Sequence, residues 1–275
     1  MALADLQAMK DSIEKGKPYF FTKNSLTSTT NKLMSLWTAA PNAGAVPSTA
    51  ATCNADTTGA LLTEPKLTTL ANAYFISQLE LACASNAFTS LLLIDRLSHQ
   101  GGLSGTATAV QTTNLPTAVL LRYTDGAGVM AALEIYTAVG TIAVTVTVSY
   151  TNQDGVGGRT SKVVVLGAAN DNAAGRVIPI PLQDDDTGVR SVESVTPSTS
   201  TAVAGNYGVT LFKPLMLIPN VSNLVQAIQQ RCLNSFIGGY GCCPEILDDT
   251  CLQFLAIANT TSTGAVHGAF HLAEA

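Results

Sequence analysis

Charge is the first thing in short supply. Charged residues make up 12% of the 275, about half the usual share. The net charge is −5 and no basic run appears. Phosphate binding needs clustered Lys and Arg, so nucleic acid is excluded as the main partner. No apolar stretch reaches the ~18 residues of a membrane-spanning helix, so a membrane is not an expected partner. The opening MALADLQAMKDSIEKG lacks the basic-then-apolar layout of a secretory signal. The expectation is a chain that begins at Met1 or Ala2 and folds in a cytoplasm. Aromatics are 6% of residues, with Trp37 the single tryptophan, a poor supply for an exposed sugar-binding row. There are three histidines: His99, His267 and His271.

What is present is apolar or neutral. Hydrophobic residues reach 47% and the mean hydropathy is +0.28. Many other positions are Thr, Ser, Ala, Gly and Asn, which pack flat and lose little on desolvation compared with charges. A chain of this kind either builds a large core or buries surface against other subunits, and the second reading is favoured. Six cysteines occur at 53, 83, 232, 242, 243 and 251. Without an export signal they are expected as thiols at synthesis.

The clearest element is the hairpin from Ile142 to Leu166. Ile142, Val144, Val146, Val148 and Tyr150 alternate with Ala143, Thr145, Thr147 and Ser149. That period of two predicts a strand with one buried and one wet face. Asp154-Gly155 and Gly157-Gly158 supply the reversal. Further strands are predicted at Ala118–Tyr123, Val129–Thr137, Ser161–Leu166, Val177–Leu182, Val189–Thr196, Val209–Ile218, Cys251–Ala258 and Val266–Leu272. Turn signals about every ten residues separate the central ones, as in a sandwich or barrel. Pro179 and Pro181 predict an edge strand, since proline cannot donate to a ladder. Leu67 to Ser98 reads as one long buried helix or as two strands, Ala73–Cys83 and Phe88–Leu97, with the strands preferred.

Helical spacing is confined to two places. Leu3, Leu6, Met9 and Ile13 predict a short helix over residues 3 to 15, stopped by Gly16 and Pro18. Ser222 heads a second, carrying Leu224, Val225, Ile228, Cys232 and Phe236. From Ala39 to Ala60 the chain is Ala, Gly, Pro, Thr and Asn with almost no charge. It reads as an extended arm that orders by lying on protein; a flexible loop is the plainer alternative. Together these predict an all-β fold: an antiparallel β-sandwich, with a jelly roll as one form open to it. An N-terminal helix and arm (1–64) precede a sandwich domain (65–275) with a helical insertion near 222–237.

Four constellations invite a chemical reading, and each has a plainer one. His267 and His271 lie four apart, but on a strand that is about 13 Å. Their spacing to Cys242, Cys243 and Cys251 matches no usual zinc pattern. Asp184-Asp185-Asp186 lacks the alternation of a calcium loop and reads as a solvated turn. No GxSxG elbow is present, so nucleophilic catalysis has no motif. Gly155 to Lys162 lacks phosphate-loop spacing and joins two strands. No catalytic residue, metal ligand or cofactor is expected.

Several phrases carry a family likeness. They are SLWTAAPNAGAVP (Ser35–Pro47), LLLIDRLSHQGGLSGT (Leu91–Thr106), AVTVTVSYTNQDGVGGRTSKVV, IPLQDDDTGVRSVESVT, GNYGVTLFKPL and CLQFLAIANTTSTG (Cys251–Gly264). In these the chain resembles virion structural proteins of tailed bacteriophages. The resemblance covers most of the chain and brings no active-site motif; the C-terminal cysteines do not map onto it. It implies a structural subunit located in the virion and assembled in the bacterial host cytoplasm. Its partners would be itself and other virion proteins, such as major capsid or connector and tail subunits. A capsid decoration, cement or minor capsid role comes first, with arm 19–60 and Trp37 as its anchor. A collar, tail or fibre subunit is the alternative. From other classes, a carbohydrate-binding β-sandwich for host attachment and a metal-dependent hydrolase using His267 and His271 remain.

Overall fold

The computed structural model describes residues 14, 16–64, 74–84, 89–221, 228–231 and 244–274. The first strands are β1 (Lys17–Lys23), β2 (Leu33–Ser35), β3 (Ala51–Thr52) and β4 (Thr63–Glu64). Next come β5 (Tyr74–Ala84), β6 (Thr89–Leu103), β7 (Gln111–Thr112), β8 (Met130–Thr137) and β9 (Val144–Asn152). Then follow β10 (Arg159–Thr160), β11 (Val164–Leu166), β12 (Val177–Pro179), β13 (Val189–Pro197) and β14 (Asn206–Val221). The last are β15 (Ile228–Arg231), β16 (Glu245–Ile246), β17 (Leu252–Ala258) and β18 (Ala265–Glu274).

The strands form three sheets. The central one runs β12-β8-β14-β6-β17-β2, with β3 added on β6; a second runs β10-β9-β13-β7, with β11 on β9; a third runs β15-β5-β18-β1-β4, with β16 on β5. The expected antiparallel sandwich is present, as two cores that share the central sheet. Strands β6 and β14 are long enough to enter both. Leu97, Leu103, Tyr207, Val209 and Leu211 pack against Val144, Val146, Val148 and Tyr150 of the second sheet. Leu91, Leu93, Leu215, Met216 and Ile218 pack against Ile76, Leu79, Leu81, Val266 and Phe270 of the third. Ile94, next to Leu93, turns to the other face with Ala132, Val177, Phe212 and Leu255. This is the two-sided burial that a continuous apolar run such as Leu91–Ile94 requires.

From Val144 the hairpin behaves as its alternation demands; Ile142, expected on the buried face, lies ahead of the strand and is exposed. Val144, Val146, Val148 and Tyr150 are buried, while Thr145 is exposed and Thr147 and Ser149 are half-buried. Strand β12 lies at a sheet edge, with Pro179 opposite Ala132 of β8. The preferred two-strand reading of the 67–98 segment matches β5 and β6; the reversal expected at Ser85-Asn86 lies outside the described residues.

Three expectations are corrected. The helix near 222–237 is replaced, at Ile228–Arg231, by a strand that pairs with Leu81 to Gln78 of β5. The rest of that segment lies outside the described residues. An open edge of β5 offers unpaired backbone groups, and pairing there outweighs a helical spacing of side chains. The helix over 3–15 lies, but for Glu14, outside the described residues; no helical element belongs to the described fold. The strand predicted at Ala118–Tyr123 is instead a turn-rich plug. Leu115, Ala118 and Leu120 fill the first core, and Thr117 and Ala118 donate to the Asn114 carbonyl. Ala118 and Leu120 serve the core with no ladder to join, while Val119 and Leu121 between and after them are exposed.

Candidate functional site

The most concentrated chemistry in the described residues is a buried polar cluster on the central sheet. It begins in β6, where Asp95-Arg96 interrupts an apolar run. In a regular strand Arg96 and His99, three apart, would face opposite ways. Here Ser98 opposes Leu211 and Arg96 opposes Phe212, so Leu97 is an inserted residue. That bulge brings Arg96 and His99 to one face.

Arg96 is fully buried (0% exposed), and each of its nitrogens has a partner. Nε donates to His99 Nδ1 at 2.9 Å and Nη1 to Gln253 Oε1 at 3.1 Å. Nη2 reaches Tyr136 at 2.9 Å, Thr210 at 3.1 Å and Glu134 Oε2 at 2.8 Å. Burial opposes the Arg96 charge, but Glu134 and Tyr136 outweigh it and hold its pKa above the usual value. The same contact works in reverse at Glu134: burial pushes its carboxyl up, and Arg96 more than offsets it, leaving the pKa lowered. Asp95 is served separately. Arg122 grips it with Nε and Nη2, both at 2.7 Å, and the Cys251 amide donates to it at 3.0 Å. Buried charges survive only when paired and hydrogen-bonded in this way.

A cover closes the cluster. Trp37 is 2% exposed; its ring lies 4.1 Å from the Arg96 guanidinium and meets His99 edge-on at 5.2 Å. The contact with Arg96 is a cation–π pair away from water. The indole is held between glycines: a Cβ on Gly44 would stand 2.2 Å from Trp37 Nε1, and one on Gly59 2.4 Å from Cδ2. Lys23, also buried, donates to the carbonyls of Pro41, Asn42 and Gly59, each at 3.2 Å. Burial pushes its pKa down to about 8, with Cys251 acting in the opposite sense. Asn42 Nδ2 adds bonds to Thr57 and Ala60. The expected arm therefore orders on its own subunit, and Trp37 is spent inside that subunit.

Cys53 Sγ sits 3.6 Å from His99 Nδ1, the composition of a nucleophile and base. The arrangement is not set up for turnover. His99 Nδ1 already accepts from Arg96, and Cys53 is 1% exposed. A pocket of about 220 Å³ beside the cluster is lined by Met34, Ser35, Trp37, Glu134, Tyr136 and Gly175 among others, and Cys53 is not part of its wall. Gln253 Nε2 donates to Ser35 Oγ at 2.6 Å. The geometry reads as a structural lock.

The residues singled out from sequence are dispersed. His267 and His271 lie on β18 opposite Thr22 and Pro18 of β1. Among the described residues no group of three His, Cys, Asp or Glu is placed to hold a metal ion. Asp186 is engaged by Tyr150, by Asn152 at 2.7 Å and by Arg159 at 2.9 Å, while the exposed Asp184 pairs with Lys162. Within Gly155 to Lys162, residues 155–158 lie in the hairpin turn between β9 and β10, and Arg159–Thr160 are β10 itself. Arg96, Asp95, Arg122, Glu134 and Lys23 were missed by motif reasoning. The signal that marks two of them is Asp95-Arg96 inside LLLIDRL: charges in a two-faced strand must find partners.

No protein-family model matches the chain, and no curated protein sequence does. Structural comparison returns particles of infectious bursal disease virus. For the VP2 subviral particle the match covers 96% of this chain and 82% of the other, at 12% identity and a TM-score of 0.22. For the Gt strain of that virus it covers 94% and 81%, at 11% identity and a TM-score of 0.22. At these scores the likeness carries no argument.

Proposed function

We propose that this protein is a structural subunit of a virion, self-associating and bound to other coat proteins. The observation that carries the reading is where the charge has gone. Lys23, Asp95, Arg96, Arg122, Glu134 and Arg176 are all buried, in a chain with few charges to begin with. The outer side of the second sheet carries Thr145, Thr147, Ser149 and Thr151, next to exposed Ile142, Val163 and Val165; one charge joins them, Glu193, which accepts from Ser149 at 3.3 Å and Thr151 at 2.7 Å. Such faces, poor in charge, suit burial against neighbours, because interface cores are depleted of charge. The family resemblance of the sequence favours a tailed-phage particle. A decoration, cement or minor capsid position is the first choice, and a collar, tail or fibre subunit the second.

The glycan-binding alternative is not favoured: among the described aromatics Phe20 alone is exposed, at 60%. The test is antibody–gold labelling of intact particles with an antibody against residues 118–218, together with mass spectrometry of the same particles. Gold over heads supports the decoration position. Gold at one vertex or along the tail moves the protein to the connector or tail class. Absence of the protein from particle mass spectra overturns the structural reading.

A further inference from the structure

One edge of β6 is covered along its length by β14, from Thr89 to Leu103. The other edge is covered by two separate pieces of chain. Strand β3 takes the upper part, with Ala51 opposite His99 and Thr52 opposite Ser98. Strand β17 takes the lower part, with Leu252 opposite Asp95. Both run antiparallel to β6, so they lie end to end, as one strand with a break in it. The residues at the break are Cys53 and Cys251. The Cys53 amide donates to the Leu97 carbonyl at 2.9 Å, and the Arg96 amide donates to the Cys251 carbonyl at 2.9 Å. Neighbouring rungs of a strand put such residues about 4–6 Å apart, the Cα separation that a disulfide spans.

The side chains meet as well. Cys53 and Cys251 share one buried cluster with Trp37 and Ala60. No other described cysteine competes, since Cys83 belongs to the second core and points its thiol at the Thr263 carbonyl. We propose that Cys53 and Cys251 are a latent cross-link: hydrogen peroxide converts the two thiols to a disulfide that closes the broken strand and fastens the cover to β17. The environment also sets the order of attack. A hydrogen bond from the Cys251 thiol, with the Arg96 charge adding to it, outweighs burial and lowers the Cys53 pKa; the Cys251 pKa is raised.

Cys53 is therefore the sulfur that reacts first, when local opening of the Trp37 cover lets peroxide reach it. Its thiolate attacks one peroxide oxygen and the O–O bond breaks; the departing hydroxide takes a proton and leaves as water. The product is the Cys53 sulfenic acid. The Cys251 sulfur then attacks Cys53 Sγ; the S–S bond forms, the S–O bond breaks, and the hydroxyl leaves with the Cys251 proton as a second water. Two thiols and one peroxide give one disulfide and two waters. The bond would join residues distant in sequence, so it would restrict the unfolded chain strongly.

The test uses the full chain, reduced, then exposed to dilute hydrogen peroxide, alkylated in denaturant and cut after glutamate. Cleavage after Glu14, Glu80, Glu245 and Glu274, with the Glu64–Pro65 bond left intact, isolates Cys53 in peptide 15–80 and Cys251 in peptide 246–274, apart from Cys83, Cys232, Cys242 and Cys243. The expected result is those two peptides joined, ~2 Da below the summed thiol masses and separated by dithiothreitol. The thermal midpoint of the oxidised protein should rise by several degrees, and Cys251→Ala should lose that rise. Recovery of Cys53 in its alkylated form, or its linkage to any other cysteine, overturns the proposal whether or not the variant folds.

Discussion

Arg96 is the side chain on which the polar face of the central sheet depends. It bonds residues from β6, β8, β14 and β17 at once. Removing one partner of a buried pair leaves the other charge stranded, at about 3–5 kcal/mol. Arg96→Met and Glu134→Leu should each cost that much in urea unfolding. The double variant should cost clearly less than the sum, and simple additivity would show that the two are not coupled. Lys23 gives a separate signature in pH. Its folded pKa is about 8 against 10.5 when free. Between those values the unfolded chain holds the proton and the folded chain has shed it, so stability rises with pH from about 8 to 10.5. Below about 8 the full cost of burying the ammonium is present. Unfolding midpoints measured from pH 7 to 10.5 should climb in the wild type, and Lys23→Met should remove that part of the climb.

At the scale of elements, the stretch from Ala39 to Ala60 shows why plain residues can be exacting. Gly59 has φ +105° and its missing Cβ is where the Trp37 ring lies. Gly59→Ala should therefore cost about 2–4 kcal/mol, from strain at positive φ plus overlap with the indole. Because Trp37 is the single tryptophan, its emission reports the cover directly; it should shift to longer wavelength in the variant. An unshifted spectrum with unchanged stability would mean that the cover does not need this contact. The stretch could be read from sequence as one that orders on protein, because it has too little charge for a solvated linker. Its glycines could not be assigned to an indole, since that match is across space. Strand elements were legible where alternation was strict, as at Val144–Asn152, or where prolines marked an edge, as at Val177–Pro179. Apolar spacing predicts a strand at Ala118–Tyr123 and a helix through Ile228–Arg231, and the first is a plug without a ladder while the second pairs with β5.

Over the whole molecule, most of the buried charge is neutralised within the subunit and sheet faces poor in charge are left outside. Self-association through such faces should depend little on ionic strength. Sedimentation velocity between about 0.05 and about 0.5 M salt should show less than roughly a threefold change in dissociation constant, whereas an interface built on ion pairs would weaken far more. Residue order alone determined that this is a β protein, where its central hairpin turns, which strand lies at an edge and that no known catalytic motif is present. Those features are set by near neighbours: alternation is a property of consecutive residues, and proline or glycine acts on its own backbone. The tertiary structure decided the rest. It sent β6 and β14 through two cores, made a strand of Ile228–Arg231 on the edge of β5, folded the cover back over Arg96 and brought Cys53 to Cys251. Each of these is a pairing of residues far apart in the chain, and neither periodicity nor propensity carries information about which distant edge a strand will meet.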